Sequence, residues 1–155
     1  MKKIKFEGLN IWKLSLKITK SIYDLTSKKE FMRELALKDQ IRRAVVSISS
    51  NIVEGFEKNN NNEFIRYLKI AKGSTGELRN QIYICRDIKY ISLNEFKIIN
   101  EDLQILASQI GSFIYYLSKK RINKEFINKQ KETTQIILAL IISTLLIFGA
   151  ISFSE

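Results

Sequence analysis

The sequence predicts an all-α fold: an antiparallel up-down-up-down four-helix bundle followed by an additional C-terminal hydrophobic helix. Three observations carry this expectation. The 155 residues contain no proline and only six glycines, so the strongest breakers of regular structure are absent or scarce. Apolar side chains recur at spacings of three and four along four successive segments, which places them on one face of a helix. The links between these segments are short and polar, and short links make neighbouring helices antiparallel. A chain of this length has room for one ordinary domain. The expected division is a bundle over residues 1–122, a basic linker over 123–132 and a hydrophobic C-terminal helix over 133–155.

The first helix is expected over residues 9–26, where Leu9, Trp12 and Leu16 form one apolar stripe and Leu14, Ile18, Ile22 and Leu25 an adjoining one. Ser27 and Glu30 have the spacing of a capping box, which predicts a short extra turn. A second helix over 35–58 carries Leu37, Ile41, Ala44, Ile48, Ile52 and Gly55 at spacings of three and four. Residues 59–62 are four consecutive asparagines, a solvated connection in which Asn60 and Glu63 stand as N-cap and reciprocal acid of the next helix. That third helix places Phe64, Leu68, Ala71, Thr75, Leu78, Ile82 and Cys85 in strict four-three alternation. Ser92 and Glu95 make another capping box, and Phe96, Ile99, Leu103, Leu106, Ile110, Phe113 and Leu117 mark the fourth helix. Ile65, Ile70 and Ile84 fall outside the seams and are expected to need cover from another subunit.

Lys and Arg number 26 against 16 Asp and Glu, a net charge of +10. Every basic residue lies at or before Lys131 and only Glu155 follows Glu132 among the acids, so residues 1–132 hold 26 positive against 15 negative charges, or +11. Such a body attracts polyanions or anionic membrane surfaces. The absence of histidine excludes imidazole bases, Ser-His and Cys-His nucleophilic pairs, and the Glu-x-x-His motif of di-iron bundles. The run Gly73, Ser74, Thr75, Gly76 lacks the Gly-Lys-Ser/Thr ending of a phosphate loop, and its glycines are expected to allow close helix approach. Glu54 and Glu77 could face each other but are not enough to fix a metal. With Ser47, Asn51 and Ser74 they are expected to form polar contacts that set the register of the second and third helices. The single cysteine, Cys85, falls on an apolar stripe and is expected as a buried, inert thiol in a reducing compartment. No secretory leader is read at the N-terminus, so a cytoplasmic bundle is expected. No catalytic residue, cofactor or metal ligand is expected.

Residues 133–154 carry no charge, and the apolar run over 136–153 approaches the ~20 residues that span a bilayer core of about 30 Å. Ile136, Leu140, Leu146 and Phe153 mark this candidate membrane anchor. Lys119, Lys120, Arg121, Lys124, Lys129 and Lys131 precede it, a bias that would keep the bundle on the cytoplasmic side of an inner membrane. The competing expectation is a fifth hydrophobic helix packed within an assembly.

The candidate nucleic-acid surface is drawn from adjacent Arg42 and Arg43 on the second helix and Arg66, Lys69, Lys72 and Arg79 on the third, with Tyr67 and Tyr83 as stacking surfaces. The same segments carry a more specific signal. Gln40, Ile41, Arg42, Arg43, Ala44, Ser47, Ile48, Asn51, Ile52, Glu54 and Gly55, then Glu63, Phe64, Leu68, Ala71, Gly73, Ser74, Glu77 and Leu78, resemble the core signature of the four-helix-bundle family called 23S rRNA intervening-sequence proteins. The resemblance covers about residues 6–117 and does not extend to the tail. Members of that family are encoded within intervening sequences of bacterial 23S rRNA genes. A similar bundle is the accessory protein of diversity-generating retroelements, a basic pentamer that works with a reverse transcriptase and nucleic acid. The resemblance implies a homo-oligomer, a ring of five subunits, with a basic surface for RNA or DNA, a reverse transcriptase among the candidate partners, and no active site. The chain departs from the family in lacking proline before the second helix and in carrying the tail.

Overall fold

The computed structural model describes the backbone of residues 5–151 and the side chains of residues 5–135. A single 3-10 turn, Phe6–Gly8, leads into α1 (Asn10–Leu25), and a second, Lys29–Phe31, separates it from α2 (Leu35–Glu57). Then follow α3 (Asn61–Asp87) and α4 (Leu93–Ile151). Among the described residues there is no strand. The chain divides into two compact units, Met1–Leu117 and Ser118–Glu155.

In the first unit the helices run up, down, up and down around one core, as the short polar links require. Side-chain contacts close the square. Arg42 on α2 reaches Thr26 at the end of α1, Ser47 on α2 meets Ser74 on α3, Arg79 on α3 bonds Asn100 on α4, and Lys17 on α1 pairs with Asp102 on α4. The core follows the expected seam on α3 and, apart from the half-buried Leu37, on α2, where Val45 joins it; on α4 Phe113 is only half-buried. On α1 Ile18, Ile22 and Leu25 are buried as expected, and the row departs from the expected stripes only toward the N-terminus. The buried row is Ile11, Ser15, Ile18, Ile22 and Leu25, and Leu16, expected on the apolar face, is 42% exposed. Ser15 escaped notice because it is polar; its hydroxyl donates to the Trp12 carbonyl at 2.7 Å and so enters the core already satisfied. Ile65 needs no outside cover, being only 6% exposed within its own bundle, whereas Ile70 and Ile84 are exposed.

The helix ends explain how a chain without proline makes its turns. Asn60 caps α3, its side-chain oxygen accepting from the Asn62 and Glu63 N–H groups at 2.9 and 3.2 Å. Glu63 gives its carboxylate to Arg66. Before α4, Ser92 and Glu95 form the expected capping box: the Ser92 N–H donates to Glu95 Oε2 at 2.9 Å and the Glu95 N–H to Ser92 Oγ at 3.2 Å. The Lys28 ammonium and the Ser92 donors hold the Glu95 carboxyl down at about 2, against an ordinary value of 4.5. The box expected at Ser27 does not form; Ser27 Oγ donates instead to the Tyr23 carbonyl at 2.7 Å. The short turn that follows has no side-chain cap. At the end of α3, Lys89 takes a left-handed conformation (φ 61°) so that the Tyr90 N–H reaches the Cys85 carbonyl at 2.8 Å and the Lys89 N–H the Arg86 carbonyl at 3.0 Å, the paired bonds of a Schellman ending. Asn59 (φ 50°) does similar service after α2.

Residues 123–132, expected as a linker, are helical and belong to α4. The bundle unit ends at Leu117, the last buried residue among those whose side chains are described, rather than at 122. From Lys119 to Gln135 every described side chain is exposed. The candidate membrane residues Ile136, Leu140, Leu146 and Phe153 lie outside the residues whose side chains are described. Among the described residues no helix is long and apolar enough to cross a membrane.

The close helix approach expected at Gly73 and Gly76 falls instead at Gly55, on the expected seam of α2. Gly73 and Gly76 have open space where a Cβ would stand. Gly55 is the point of close approach: a Cβ there would lie 2.6 Å from Tyr67 Cβ and 3.0 Å from Phe64 Cδ2. We therefore predict that Gly55→Ala destabilises the bundle by about 1–3 kcal/mol through overpacking. Gly73→Ala, in a helix interior with room to spare, should stabilise the isolated subunit by about 1 kcal/mol. Urea denaturation of both variants separates the two roles.

Candidate nucleic-acid interface

The six basic candidates do not share one environment. Residues adjacent in a helix point ~100° apart, and Arg42 and Arg43 illustrate this. Arg42 turns toward α1, where Nε donates to Thr26 Oγ1 at 2.8 Å and Nη2 to Ser27 Oγ at 3.4 Å while the guanidinium lies 4.6 Å from the Tyr23 ring centre. Thr26 is buried and passes its own proton to the Ile22 carbonyl at 2.8 Å. Arg42 is thus a brace between α1 and α2. Arg43 is exposed and makes no hydrogen bond or ion pair among the described residues.

On α3, Lys69 is exposed in the same way. Arg66 grips Glu63 through Nε (3.3 Å) and Nη2 (2.9 Å) and covers the Tyr67 ring at 4.3 Å. This hydrogen bond lowers the Glu63 carboxyl below its ordinary value and raises the Arg66 guanidinium. Lys72 and Arg79, seven residues apart, lean toward α4: Lys72 Nζ stands 3.2 Å from where a Cβ at Gly111 would be, and Arg79 Nε donates to Asn100 Oδ1 at 3.3 Å. Tyr83 packs edge-on to Phe96 at 4.9 Å under the Arg86 guanidinium, so its face is not an open stacking surface. The Tyr67 hydroxyl donates to Glu54 Oε1 at 2.5 Å. The outward cations are therefore Arg43, Arg66 and Lys69. The Ser47–Ser74 and Glu54–Tyr67 contacts set Arg43 level with Leu78 and Arg66 level with Gly55, about 18 Å apart along the bundle at 1.5 Å per residue. They form a row, not a pocket.

Of the signature residues, Ser47, Asn51, Glu54, Gly55 and Ser74 line the α2–α3 seam. Ser47 Oγ and Ser74 Oγ are 3.0 Å apart, and the Asn51 side-chain amide donates to the Ser47 carbonyl at 2.7 Å and to Ser47 Oγ at 3.1 Å. Glu77 does not reach Glu54. It accepts from Gln81 Nε2 at 3.3 Å within α3, leaving the buried Gln81 Oε1 without a hydrogen-bond partner among the described residues. Gln40 is exposed on α2. Thr26, Tyr67, Gln81 and Asn100 were not foreseen as partners. Their roles depend on which helices adjoin, which spacing within one helix does not encode. No group of three or more His, Cys, Asp or Glu among the described residues could hold a metal. Burial pushes the Cys85 thiol up to about 11, so it stays protonated and unreactive.

The contrast within the arginine pair is measurable. Arg42→Gln should cost about 1–2 kcal/mol of stability, because it removes a charged donor from a buried hydroxyl. Arg43→Gln should stay within about 0.5 kcal/mol. Thermal denaturation of the two variants checks this, with the reverse order counting against the brace.

Comparison with known proteins agrees with this architecture. A family described as 23S rRNA-intervening sequence protein matches residues 7–112. A solved structure from Bacteroides thetaiotaomicron, a protein of unknown function from the S23 ribosomal protein family, superposes with a TM-score of 0.62. It is 24% identical in sequence, and the match covers 67% of this chain and 97% of that one; at this identity the likeness concerns the fold. No curated protein matches the sequence. With more than half of its length matched, the chain belongs to the 23S rRNA-intervening sequence protein family.

Proposed function

We propose that the bundle is a non-enzymatic, homo-oligomeric RNA-binding module, a ring of five subunits whose outward basic rows hold the phosphate backbone of a structured RNA. The observation that carries this reading is the row of solvent-directed cations, Arg43, Arg66 and Lys69, on a body of net charge +11. Arg42 and Arg79 keep their place in the fold and drop out of the phosphate-binding set; Lys72 sits at the margin, beside Gly111. Self-association is supported by Ile70 and Ile84, exposed seven-residue multiples apart on α3 with the unfilled Gly73 between them. A flat row without a pocket suits polyanion binding better than turnover of a small substrate. The family's link to 23S rRNA genes makes RNA the first ligand to test, and a reverse transcriptase remains a partner to test beside it.

Residues 1–132 retain the whole described core. This fragment should scatter light as an oligomer at micromolar concentration and bind structured RNA with affinity falling steeply in salt. Replacing Arg43 and Lys69 by Gln should reduce the salt slope by about one for each phosphate no longer neutralised. A monomer removes the ring, and unchanged slopes remove these two residues from the interface.

The uncharged run over 133–154 favours a second reading, a cytoplasmic bundle tethered to the inner membrane. Full-length protein should then resist carbonate extraction, and Leu140→Lys with Leu146→Lys should release it, since a charge at the bilayer centre costs about 2.5–3.5 kcal/mol. A full-length protein soluble without detergent would assign the run to the assembly as a fifth helix.

A further inference from the structure

Over residues 118–135 the helix sorts its charge by face. Lys120, Lys124, Ile127 and Lys131 follow at spacings of four, three and four and so share one row of the helix; Lys119, Asn123, Phe126 and Gln130 form the adjoining row at the same spacings. Both acids between 118 and 135, Glu125 and Glu132, fall on the opposite side with Arg121, whose Nε lies 3.6 Å from Glu125 Oε1. One side of this helix therefore presents lysines and no acid. Between them stand two large apolar side chains, Phe126 at 62% and Ile127 at 51% exposure.

We propose that this face docks on an anionic phospholipid surface, with Lys120, Lys124 and Lys131 on headgroup phosphates and Phe126 and Ile127 at the acyl boundary. Lysine stems lie along apolar surface while their ammonium groups reach the phosphates, so lysine and large apolar residues on one face are compatible at a membrane interface. A second copy of the helix would set these lysines against each other. Nucleic acid would account for the lysines but gives Phe126 and Ile127 nothing apolar to enter. The sequence adds a third observation: the charge-free run begins at residue 133, two residues beyond Lys131. The proposal requires neither insertion of that run nor RNA binding by the bundle.

The test is flotation of the full chain with vesicles of phosphatidylcholine alone and of phosphatidylcholine mixed with phosphatidylglycerol. The readout is the ratio of the two partition coefficients, in which any charge-independent insertion cancels. Lys120→Gln, Lys124→Gln and Lys131→Gln together should lower the ratio by about fivefold for each lysine, equivalent to about 1 kcal/mol apiece. Phe126→Ala with Ile127→Ala should lower partition into the anionic vesicles, and neither set should change bundle helicity, because all these side chains lie outside the core. An unchanged ratio in the lysine variant overturns the proposal. So does unchanged partition in the apolar variant, which would leave the lysines to nucleic acid. Either failure leaves the RNA reading untouched, because Arg43 and Lys69 lie in the first unit.

Discussion

How closely α2 and α3 can approach is set at Gly55, where the backbone of one helix rests against Tyr67 and Phe64 of the other with no room for a side chain. Much of the bundle is fixed from that point. Tyr67, pressed against the glycine, has its hydroxyl in reach of Glu54. Phe64 lies edge-on between Phe56 and Phe113, at 5.9 and 5.4 Å, and so joins α2, α3 and α4 in one aromatic cluster. Seven residues along each helix, Ser47 and Ser74 meet at the same register. A one-residue slip of α3 against α2 would part the serines and drive a Cβ into the glycine gap, so close approach and polar pairing specify the same alignment.

That alignment governs what the surface presents. Side chains that turn toward a neighbouring helix are used in holding it, and only those turned away remain for a ligand. The basic residues obey this rule one by one: Arg42 is absorbed by α1 and Arg79 by α4, while Arg43 and Lys69 face water. A family signature made largely of seam residues is consistent with this division.

Fold class, helix order and most of the core were legible in the sequence because three- and four-residue spacing is a local property and the link lengths leave few topologies. The expected second helix, 35–58, differs from the observed one by a single residue at its end; the Ser92 and Glu95 box formed in full, and Asn60 caps α3 while Glu63 turns to Arg66 instead of closing the box. What failed was non-local. Leu16 looked like core, but the seam of α1 runs through Ser15; Gly73 looked like a packing position, but nothing among the described residues lies within 4 Å of where its Cβ would stand. The linker expected over 123–132 rested on its charge, and charge alone does not interrupt a helix rich in Lys, Glu and Gln, all good helix formers. The site was legible only as a list of cations. Which of them are occupied depends on partners tens of residues away, as with Arg42 and Thr26.

Cys85 turns the core into its own reporter. The only thiol of the chain lies fully buried on α3, held protonated by its surroundings, and the left-handed Lys89 closes the helix immediately after it. A thiol reagent in the solvent meets this sulfur only when α3 leaves its neighbours. The labelling rate of the unmodified protein therefore counts opening events directly, without an introduced probe.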